Sequence, residues 1–490
     1  MKTMKKILAF VLATVMTLAM SVTAFADTKG YSIVINNATN GHTYEAYQIF
    51  AGDLSADQQT LSNIKWGSGI SEDGQSKLGD AVAYAEELAK LDNKSAGATA
   101  AANELSKYLT TPAGTVSAPT DGKYVISNLS AGYYLIKDRD ESLKGTNDSY
   151  TSFILKLVKS VTVDPKADTT TVEKKLKDTN DTTGETTNWQ DGADYDIGDT
   201  VPFKLTATLA DNVSSYKKYK LVFHDTISNG LTYNNDVHIY LGEEGTGIDI
   251  TSGFKAEYND TSLKFSCDDV KALGATNNSV ITVVYSATLN ENAVLGKAGN
   301  PNKVKLEFSN NPNINGEGET GFTPEDTVIV FTYKVVVNKV DQDKKPLEGA
   351  EFTLYKKLSD GSQQEFGFIE PKPGTTFTFK GLDDGDYVLK ETKTPDGYNT
   401  IDDIEFTVTA DHDIISDSPA LKGINGNATT GQIEFTPNVD EGSLDTIVEN
   451  KKGSVLPETG GAGRVMIYVL GSILVLGAGI VLVSKKRVSR

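Results

Sequence analysis

The sequence predicts an all-β protein built from tandem β-sandwiches, with a helical insertion in the first domain and a transmembrane helix at the C-terminus. Short runs rich in β-branched and aromatic residues alternate apolar with polar side chains, as in Phe153–Val158, Val280–Leu289 and Ile404–Val408. Gly, Asn and Asp turns separate these runs. The 21 Tyr and 18 Phe suit strands that bury one face, which is the pattern of sandwiches.

One stretch departs from this pattern and predicts helices. From about Ser76 to Leu109, apolar residues recur at helical spacing, among them Leu78, Val82 and Leu88. The polar run 92–95 interrupts the pattern. We therefore expect two helices on either side of that run.

An internal repeat relates the first and last parts of the chain. Residues 129–138 and 382–391 share the pattern Leu-x-x-Gly-x-Tyr-x-x-Lys-acid, and residues 41–47 and 349–355 share Gly-x-x-aromatic-x-x-Tyr. The repeat predicts the same type of sandwich at both places. The wider spacing in the first copy leaves room for an insertion, and the predicted helices lie inside it.

The N-terminus predicts export. Three lysines precede an apolar run over 7–20, and the small residues Ala24 and Ala26 precede a cleavage site before Asp27. We therefore expect residues 1–26 to be a signal peptide.

The chain after the signal peptide divides into an N-terminal domain over 27–166, a middle domain over 167–330, a C-terminal domain over 331–452 and a tail over 453–490. The length allows about three domains. A formal net charge of −19 argues against a nucleic-acid partner, because phosphates need Lys and Arg. Cys267 is the single cysteine, so no intrachain disulfide can form, although an exported protein would tolerate one.

The tail combines three features. The first is a pentapeptide made of Leu456, Pro457, Glu458, Thr459 and Gly460. An apolar run over 465–483 follows, and its length at the helical rise is about 28 Å, roughly one hydrocarbon core. Basic residues end the chain and favour the cytoplasmic side of a membrane.

This arrangement resembles the LPxTG sorting signal that sortases recognise in Gram-positive bacteria. The resemblance implies cleavage between Thr459 and Gly460 by a cysteine transpeptidase, which holds the Thr459 carboxyl as a thioester until an amine takes it. Pro457 favours the extended backbone that an enzyme groove would bind. The implied location is extracellular: membrane anchoring is transient, and the product is attached covalently to the cell wall.

In the C-terminal domain, Lys339, Glu391 and Asn450 each lie in phase with apolar residues of a predicted strand. All three side chains could therefore point into one core. Burial should lower the pKa of the lysine and raise the pKa of the glutamate. A neutral amine could then attack the Asn carbonyl while the protonated Glu shuttles protons and ammonia leaves, with proximity supplying much of the rate.

These residues resemble the CnaB-type, immunoglobulin-like domains of Gram-positive pilins and adhesins. In that family a Lys begins the first strand, an Asn ends the last strand, and a Glu lies in a YxLxETxAPxGY box. Residues 387–398 match the box except for Thr394 in place of Ala. The resemblance implies an isopeptide bond between Lys339 and Asn450, with Glu391 as the catalytic acid.

The middle domain resembles the CnaA-like domain of major pilins, in which Asp or Glu assists a Lys–Asn bond. Its candidates are Lys174, Asn302 and Asp225, because each is in phase with neighbouring apolar strand residues. Lys175 and Asn300 are plausible alternatives. The resemblance implies a second isopeptide bond here.

The N-terminal domain departs from this family pattern. Asp138 stands where the box has its acid, but the first strand has no lysine and places Asn36 there instead. Without an amine no cross-link can form. We expect this domain to be unbridged and the least resistant to heat and protease.

Residues 161–166 resemble the pilin motif WxxxVxVYPK, whose lysine attacks the sortase thioester of another subunit. The chain keeps both valines, the proline and the lysine, but it has Leu157 in place of Trp and Asp164 in place of Tyr. The resemblance implies that Lys166 is the acceptor, and Lys159 is its nearest competitor.

Together these features resemble a major (backbone) pilin, in which Thr459 of one subunit joins Lys166 of the next, head to tail. The implied partners are pilin-specific and housekeeping sortases, identical subunits, accessory tip or base pilins, and peptidoglycan. Such a chain is a sortase substrate rather than an enzyme, and we predict no cofactor.

Two other functions fit less well. A monomeric wall-anchored adhesin for host protein or glycan would share every feature except the pilin lysine. An extracellular hydrolase has little support, because the four His lack metal-ligand spacing and Cys267 lies in an acidic context that disfavours a thiolate. We assign no residue as a metal ligand, and the sequence leaves open whether a metal binds Asp-rich loops such as Asp178–Asp181.

Overall fold

The computed structural model describes residues 30–55, 59–91, 96–164, 169–312, 319–366, 369–370, 374–430, 433–453 and 468–478. Three β-sandwiches follow one another along the chain: the N-terminal, middle and C-terminal sandwiches. Each has its own core of buried side chains, and the N-terminal sandwich has a second cluster under its helices. The prediction of tandem sandwiches with a helical insertion is confirmed.

The N-terminal sandwich packs a sheet of order β5-β1-β8 against a sheet of order β3-β2-β6-β7, in which β4 also pairs with β2. Alternate residues of β1, Ile33 and Ile35, are fully buried, as expected for a strand with one buried face. The strands are β1 (Tyr31–Asn36), β2 (Tyr44–Leu54), β3 (Leu61–Trp66), β4 (Gly114–Val116), β5 (Lys123–Leu129), β6 (Gly132–Asp138), β7 (Ser152–Leu157) and β8 (Val161–Val163).

The helical insertion lies between β3 and β4 and contains α1 (Glu72–Leu78), α2 (Ala81–Leu88) and α3 (Ala96–Ser106). The predicted number of two helices was wrong. The first predicted helix is divided because Gly79, at φ 84°, ends α1 and the Asp80 side chain then caps α2 by accepting from the Val82 and Ala83 amides.

The middle sandwich packs a sheet of order β12-β23-β21-β14-β19-β18, with β22 paired to β21, against a sheet of order β17-β16-β20-β13-β9, with β15 paired to β20. Its longer strands alternate buried and less buried residues. The strands are β9 (Thr171–Leu176), β10 (Thr179–Asn180), β11 (Glu185–Thr186), β12 (Gly192–Asp194), β13 (Thr200–Thr208), β14 (Leu221–Ile227), β15 (Leu231–Tyr233), β16 (His238–Leu241), β17 (Ile248–Asp249), β18 (Lys255–Asn259), β19 (Ser262–Cys267), β20 (Val280–Leu289), β21 (Asn300–Ser309), β22 (Thr320–Phe322) and β23 (Asp326–Phe331). The 3₁₀ turns are Val213–Ser215, Thr251–Gly253, Val270–Leu273 and Gly296–Ala298.

The C-terminal sandwich packs a sheet of order β27-β28-β24-β33-β32 against a sheet of order β26-β25-β29-β30-β31. Its first strand, β24, runs parallel to its last strand, β33, and β1 runs parallel to β8 in the same way in the N-terminal sandwich. The strands are β24 (Tyr333–Asp341), β25 (Glu351–Lys357), β26 (Gln363–Glu365), β27 (Ile369–Glu370), β28 (Thr376–Leu382), β29 (Gly385–Lys393), β30 (Ile404–His412), β31 (Leu421–Ala428), β32 (Phe435–Asn438) and β33 (Ser443–Asn450).

The described part of the tail is helical over 468–478. Within the residues that the structure describes, no helix has the length and apolar character needed to cross a membrane. Both ends of the predicted span, residues 465–467 and 479–483, lie outside the described residues, so the transmembrane helix stays a prediction.

Candidate functional site

The three residues predicted for the C-terminal cross-link meet in one buried place. Lys339 lies on β24, and Asn450 ends β33, the parallel neighbour of β24. In this register Lys339 is opposite Val448, and Glu391 comes from β29 of the facing sheet. Their exposed fractions are 1% for Lys339, 0% for Asn450 and 9% for Glu391.

The Asn450 amide faces the carboxyl group directly. Its Nδ2 donates to Glu391 Oε1 at 2.9 Å and Oε2 at 3.1 Å, and also to the Asn399 carbonyl at 3.1 Å. Lys339 Nζ donates to the carbonyls of Val448 at 3.1 Å and Val340 at 3.3 Å. Among the described residues nothing donates to the buried Asn450 Oδ1. The carbonyl oxygen of the Asn450 amide can therefore accept a hydrogen bond while the Lys339 amine attacks.

Burial makes the amine of Lys339 a better nucleophile. It lowers the pKa of Lys339 from 10.5 to about 8, although the charges of Glu391 and Glu449 act in the opposite direction. A pKa near 8 leaves part of the population neutral at neutral pH, and only the neutral amine has a lone pair for attack on a carbonyl.

Thr394, the one departure from the family box, supports the acid. Its hydroxyl donates to Glu391 Oε2 at 3.1 Å, and the backbone N–H of Ile401 donates to the same oxygen at 3.2 Å. These bonds hold the carboxyl group against Asn450. The replacement of Ala by Thr therefore adds a hydrogen bond to the site.

The residues predicted for the middle cross-link also meet, and they come from both sheets. Lys174 lies on β9 of one sheet, while Asp225 on β14 and Asn302 on β21 come from the facing sheet. The exposed fractions are 0% for Lys174, 1% for Asp225 and 0% for Asn302. The alternation of polar and apolar residues predicted that these three side chains point into the core, and they do.

Tyr285 joins these three side chains. Lys174 Nζ donates to Asp225 Oδ2 and, at 3.1 Å, to the Tyr285 hydroxyl oxygen. That hydroxyl donates to Asp225 Oδ2 at 3.1 Å and accepts from Asn302 Nδ2 at 2.7 Å. No described residue donates to the buried Asn302 Oδ1. The middle site is thus a closed network of four side chains.

The buried network shifts both ionisable groups toward their neutral forms. Desolvation lowers the pKa of Lys174 and raises the pKa of Asp225, while the attraction between the two groups opposes both shifts. Phe203 and Tyr285 present their rings to Nζ, each with its centroid 5.4 Å away. A neutral amine beside a neutral carboxylic acid is the protonation state that amide formation requires.

The alternatives for the middle site differ in their contacts. Lys175 Nζ pairs with Asp191 Oδ1 at 2.5 Å and is partly exposed. The Asn300 amide is fully used: it donates to the Val294 and Val330 carbonyls at 3.1 Å and accepts from the Val294 N–H at 2.8 Å. These contacts suit structural roles, and they favour Lys174 and Asn302 as the reacting pair.

The N-terminal sandwich buries its acid against a histidine. Asp138 Oδ1 lies 2.9 Å from His42 Nδ1, and Asp138 Oδ2 accepts from the Thr151 N–H at 2.8 Å. Asn36 is not the residue in phase with the core, because its side chain donates to Asp164 Oδ1 at 2.7 Å at the surface. The inward phase continues from Ile33 and Ile35 to Asn37, which donates to the Tyr44 hydroxyl at 2.8 Å. As predicted from the sequence, this strand offers no lysine.

A further buried lysine, with three carboxylate partners, was not singled out by the sequence. Lys356 is 3% exposed and donates to Asp181 at 3.0 Å, Asp196 at 2.6 Å and Asp383 at 2.6 Å, at the contact between the middle and C-terminal sandwiches. These carboxylates raise its pKa. Lys356 is thus a charged ion-pair centre, in contrast to Lys174 and Lys339, and only the packing of two sandwiches brings its partners together.

The residues predicted for polymerisation lie outside the described residues. This holds for Lys166 and for the pentapeptide over 456–460. The described chain reaches Asp164, one residue after β8, and β8 is the edge strand beside β1. The assignments of the acceptor lysine and of the sortase cleavage site stay predictions.

Tyr285 was also missed. It lies within the alternating run of β20, where an inward-facing tyrosine is indistinguishable from any other large core residue. No motif marks its hydroxyl. The packing of the two sheets against each other brings this hydroxyl to Asp225, Lys174 and Asn302.

Three family models match the chain. Residues 197–312 match the Gram-positive pilin backbone subunit 2, Cna-B-like domain, and residues 333–418 match a prealbumin-like fold domain. Residues 448–489 match the LPXTG cell wall anchor motif. The pilin-backbone match and the anchor-motif match confirm the predicted resemblance to LPXTG-anchored backbone pilins and the predicted location at the cell wall. The middle match is described as Cna-B-like, where we predicted a CnaA-like domain.

The chain is similar to the "Trypsin-resistant surface T6 protein" of Streptococcus pyogenes serotype M6, with 24% identity over 360 residues, which cover 59% of this chain and 65% of that protein. The structure of the T6 backbone pilin of the same serotype has a TM-score of 0.58 at 19% identity, covering 88% of this chain and all of that one. The full-length major pilin SpaD from Corynebacterium diphtheriae has a TM-score of 0.49 at 18% identity, covering 87% of this chain and 98% of that one. The first of these structures shares the three-sandwich fold.

Proposed function

We propose that the chain is the structural backbone subunit of a covalent surface pilus. A sortase joins Thr459 of one subunit to Lys166 of the next, and the last subunit is transferred to peptidoglycan. The matched pilin and anchor domains support this function, as does LPETG in the tail. The proposed domains are 27–166, 167–330 and 331–452, between the signal peptide and the sorting tail 453–490.

We also propose two intramolecular isopeptide bonds, Lys339–Asn450 and Lys174–Asn302. Glu391 assists the first bond and Asp225 the second. In each reaction Nζ attacks the Asn side-chain carbonyl carbon, the acid shuttles protons, and ammonia leaves. Each bond forms once in each molecule, without turnover, so the chain is not an enzyme. Its part in polymerisation is that of a sortase substrate.

One observation carries this proposal: two successive sandwiches each bury a Lys whose pKa is lowered, together with a carboxyl group and an Asn. A buried lysine is costly unless it is neutral or paired, and here the neutral form is the reactive one. A covalent bond between distant strands would transmit load across a sandwich without separating its strands. That property suits the repeating unit of a fibre.

Polymerisation is tested by comparing wall extracts on a denaturing gel. Cells producing the unchanged chain should give a high-mass ladder, and Lys166→Ala should reduce it to single subunits. Lys159→Ala, the matched control, should leave the ladder intact. If both variants keep the ladder, the acceptor is another lysine; if the unchanged chain gives only single subunits, the chain is not a pilus backbone.

The intramolecular bonds are tested by intact mass. Two bonds should lower the mass by about 34 Da, and Lys339→Ala or Lys174→Ala should each restore about 17 Da beyond the substitution itself. Lys175→Ala should restore nothing. A mass equal to that calculated from the sequence would refute both bonds.

A further inference from the structure

The hydroxyl of Tyr285 occupies the centre of the proposed middle cross-link. It lies 3.1 Å from Lys174 Nζ, 3.1 Å from Asp225 Oδ2 and 2.7 Å from Asn302 Nδ2. Two of these atoms, Nζ and Nδ2, are the nitrogens that enter and leave the carbonyl in the proposed reaction. A side chain that touches both nitrogens and the acid is placed to take part in the chemistry.

The ring that carries this hydroxyl packs against other aromatic side chains. The Tyr285 ring stacks on Phe203 at 5.4 Å between centroids and meets Tyr233 edge-on at 5.6 Å and Phe265 at 6.2 Å. Tyr285 is 4% exposed. Protons must therefore move between these side chains, because little water reaches the site.

The reaction needs two proton transfers, and the acid serves only one of them directly. Asp225 Oδ2 contacts Nζ, from which a proton must be removed, but the hydrogen bond of Asn302 Nδ2 goes to Tyr285. The leaving nitrogen therefore receives its proton through the tyrosine. We propose that Tyr285 is a catalytic residue of the middle cross-link, which relays a proton from Asp225 to the departing nitrogen of Asn302. This inference rests on the proposed Lys174–Asn302 bond.

Bond formation, bond cleavage and proton transfers make up the proposed reaction. The neutral Nζ of Lys174 forms a bond to Cγ of Asn302, and the attacked amide nitrogen regains a lone pair. Tyr285 gives its hydroxyl proton to this nitrogen and takes the acidic proton of Asp225. Asp225 in turn takes one proton from Nζ, the Cγ–Nδ2 bond breaks, and ammonia leaves. The acid and the tyrosine end in their starting forms.

A relay must keep its proton until it is needed. Burial, together with the charge of Asp225, raises the pKa of Tyr285 well above its ordinary value. The hydroxyl is therefore neutral at neutral pH and can donate and accept at the same time.

The C-terminal site shows why the middle site needs this residue. Glu391 reaches the Asn450 amide with both carboxyl oxygens, at 2.9 and 3.1 Å, so no relay stands between them. Asp225 has a side chain shorter by one methylene, and Tyr285 bridges the remaining gap to Asn302. Tyr285 therefore takes the place beside the leaving nitrogen that Glu391 takes in the C-terminal site.

The test follows cross-linking in newly synthesised full-length chains, stopped at intervals and digested. The peptide that joins Lys174 to Asn302 is then quantified by mass spectrometry. Tyr285→Phe should slow this bond about a hundredfold, the usual scale of an acid–base contribution. Lys339–Asn450 should form at the unchanged rate in the same molecules, which shows that the chain has folded. Tyr233→Phe removes a neighbouring buried hydroxyl and should change neither rate.

A second variant separates proton relay from packing. In the Tyr285→Phe chain, Asp225→Glu lengthens the acid so that it can reach Asn302 directly, and it should restore most of the rate. A Tyr285→Phe chain that cross-links at the unchanged rate would overturn the relay, and so would a slow one that Asp225→Glu does not rescue. If the unchanged chain yields no Lys174–Asn302 peptide, the proposed bond itself is wrong.

Discussion

The N-terminal and C-terminal sandwiches share their strand order but differ in what they hold between the sheets. In both, the first strand runs antiparallel to one neighbour and parallel to the last strand. Both also bury the acid at the same place in the repeat, Asp138 in one and Glu391 in the other. Asp138 faces a histidine, whereas Glu391 faces an asparagine amide beside a lysine.

We infer from this difference that the scaffold positions the acid and that the residue on the first strand sets its role. With Lys339 on that strand, the acid can assist a covalent bond that closes a loop of over a hundred residues. Such a closure stabilises by roughly 4–5 kcal/mol in the loop-entropy model. With no lysine there, Asp138 contacts His42 instead, and we expect this sandwich to depend on non-covalent contacts.

The largest expected effect is the loss of the C-terminal bond. Lys339→Ala should restore the mass of one ammonia and destabilise the C-terminal sandwich by roughly 4–5 kcal/mol, because the loop is no longer closed. Calorimetry of the mature chain measures this as a lower transition temperature. Lys334→Ala, on the same strand but paired with Glu441 near the surface, is the matched control and should have little effect. Equal losses in both variants would contradict the bond.

The next effect concerns His42 and Asp138, which lie in the N-terminal sandwich where the C-terminal sandwich has its proposed cross-link. His42→Ala leaves Asp138 Oδ1 buried without its hydrogen-bond partner and should destabilise the N-terminal sandwich by about 3 kcal/mol. Denaturation followed by the fluorescence of Trp66, in a Trp189→Phe background, reports on this sandwich. His238→Ala removes an exposed histidine and should change stability little. A midpoint unchanged by His42→Ala would show that the contact between His42 and Asp138 does not stabilise this sandwich.

A pH effect should appear only where Lys339 stays a free amine. In Asn450→Ala the folded chain keeps Lys339 at a pKa of about 8, against 10.5 when unfolded. Between these values the unfolded chain binds more protons, so the stability of the C-terminal sandwich should rise as pH increases from 8 to 10.5, by at most about 3 kcal/mol. Comparing denaturation midpoints with the unchanged chain isolates this slope. A stability that falls equally in both chains would mean that Lys339 is not held neutral.

The smallest effect concerns the residue that departs from the family box. Thr394→Ala removes one hydrogen bond to Glu391 and should cost about 1 kcal/mol or less, with the cross-link still forming. Intact mass and calorimetry measure the two parts separately. Thr409→Ala, at an exposed position of β30, is the control. A complete loss of the bond in Thr394→Ala would make this hydroxyl essential in the site.

Strand alternation and the internal repeat are patterns along the chain, so they predict the sandwiches, their order and most of the residues that point inward. The same alternation selected the six candidate residues, because each is a polar residue at a position where the strand otherwise places apolar side chains. They are Lys174, Asp225, Asn302, Lys339, Glu391 and Asn450. The wrong details of the prediction were local as well: Gly79 and Asp80 divide one predicted helix into two, and Asn37, not Asn36, continues the inward phase of β1.

Which polar groups meet across the sheets is visible only in the folded protein. Asn300 and Asn302 have the same phase in β21, and only their hydrogen bonds distinguish the structural amide from the one beside Tyr285. The partners of Tyr285 and Lys356 lie far apart along the chain, so no window of sequence contains them. The physical reason is that alternation determines which face a side chain joins, whereas its distance to another side chain depends on how two sheets or two sandwiches pack.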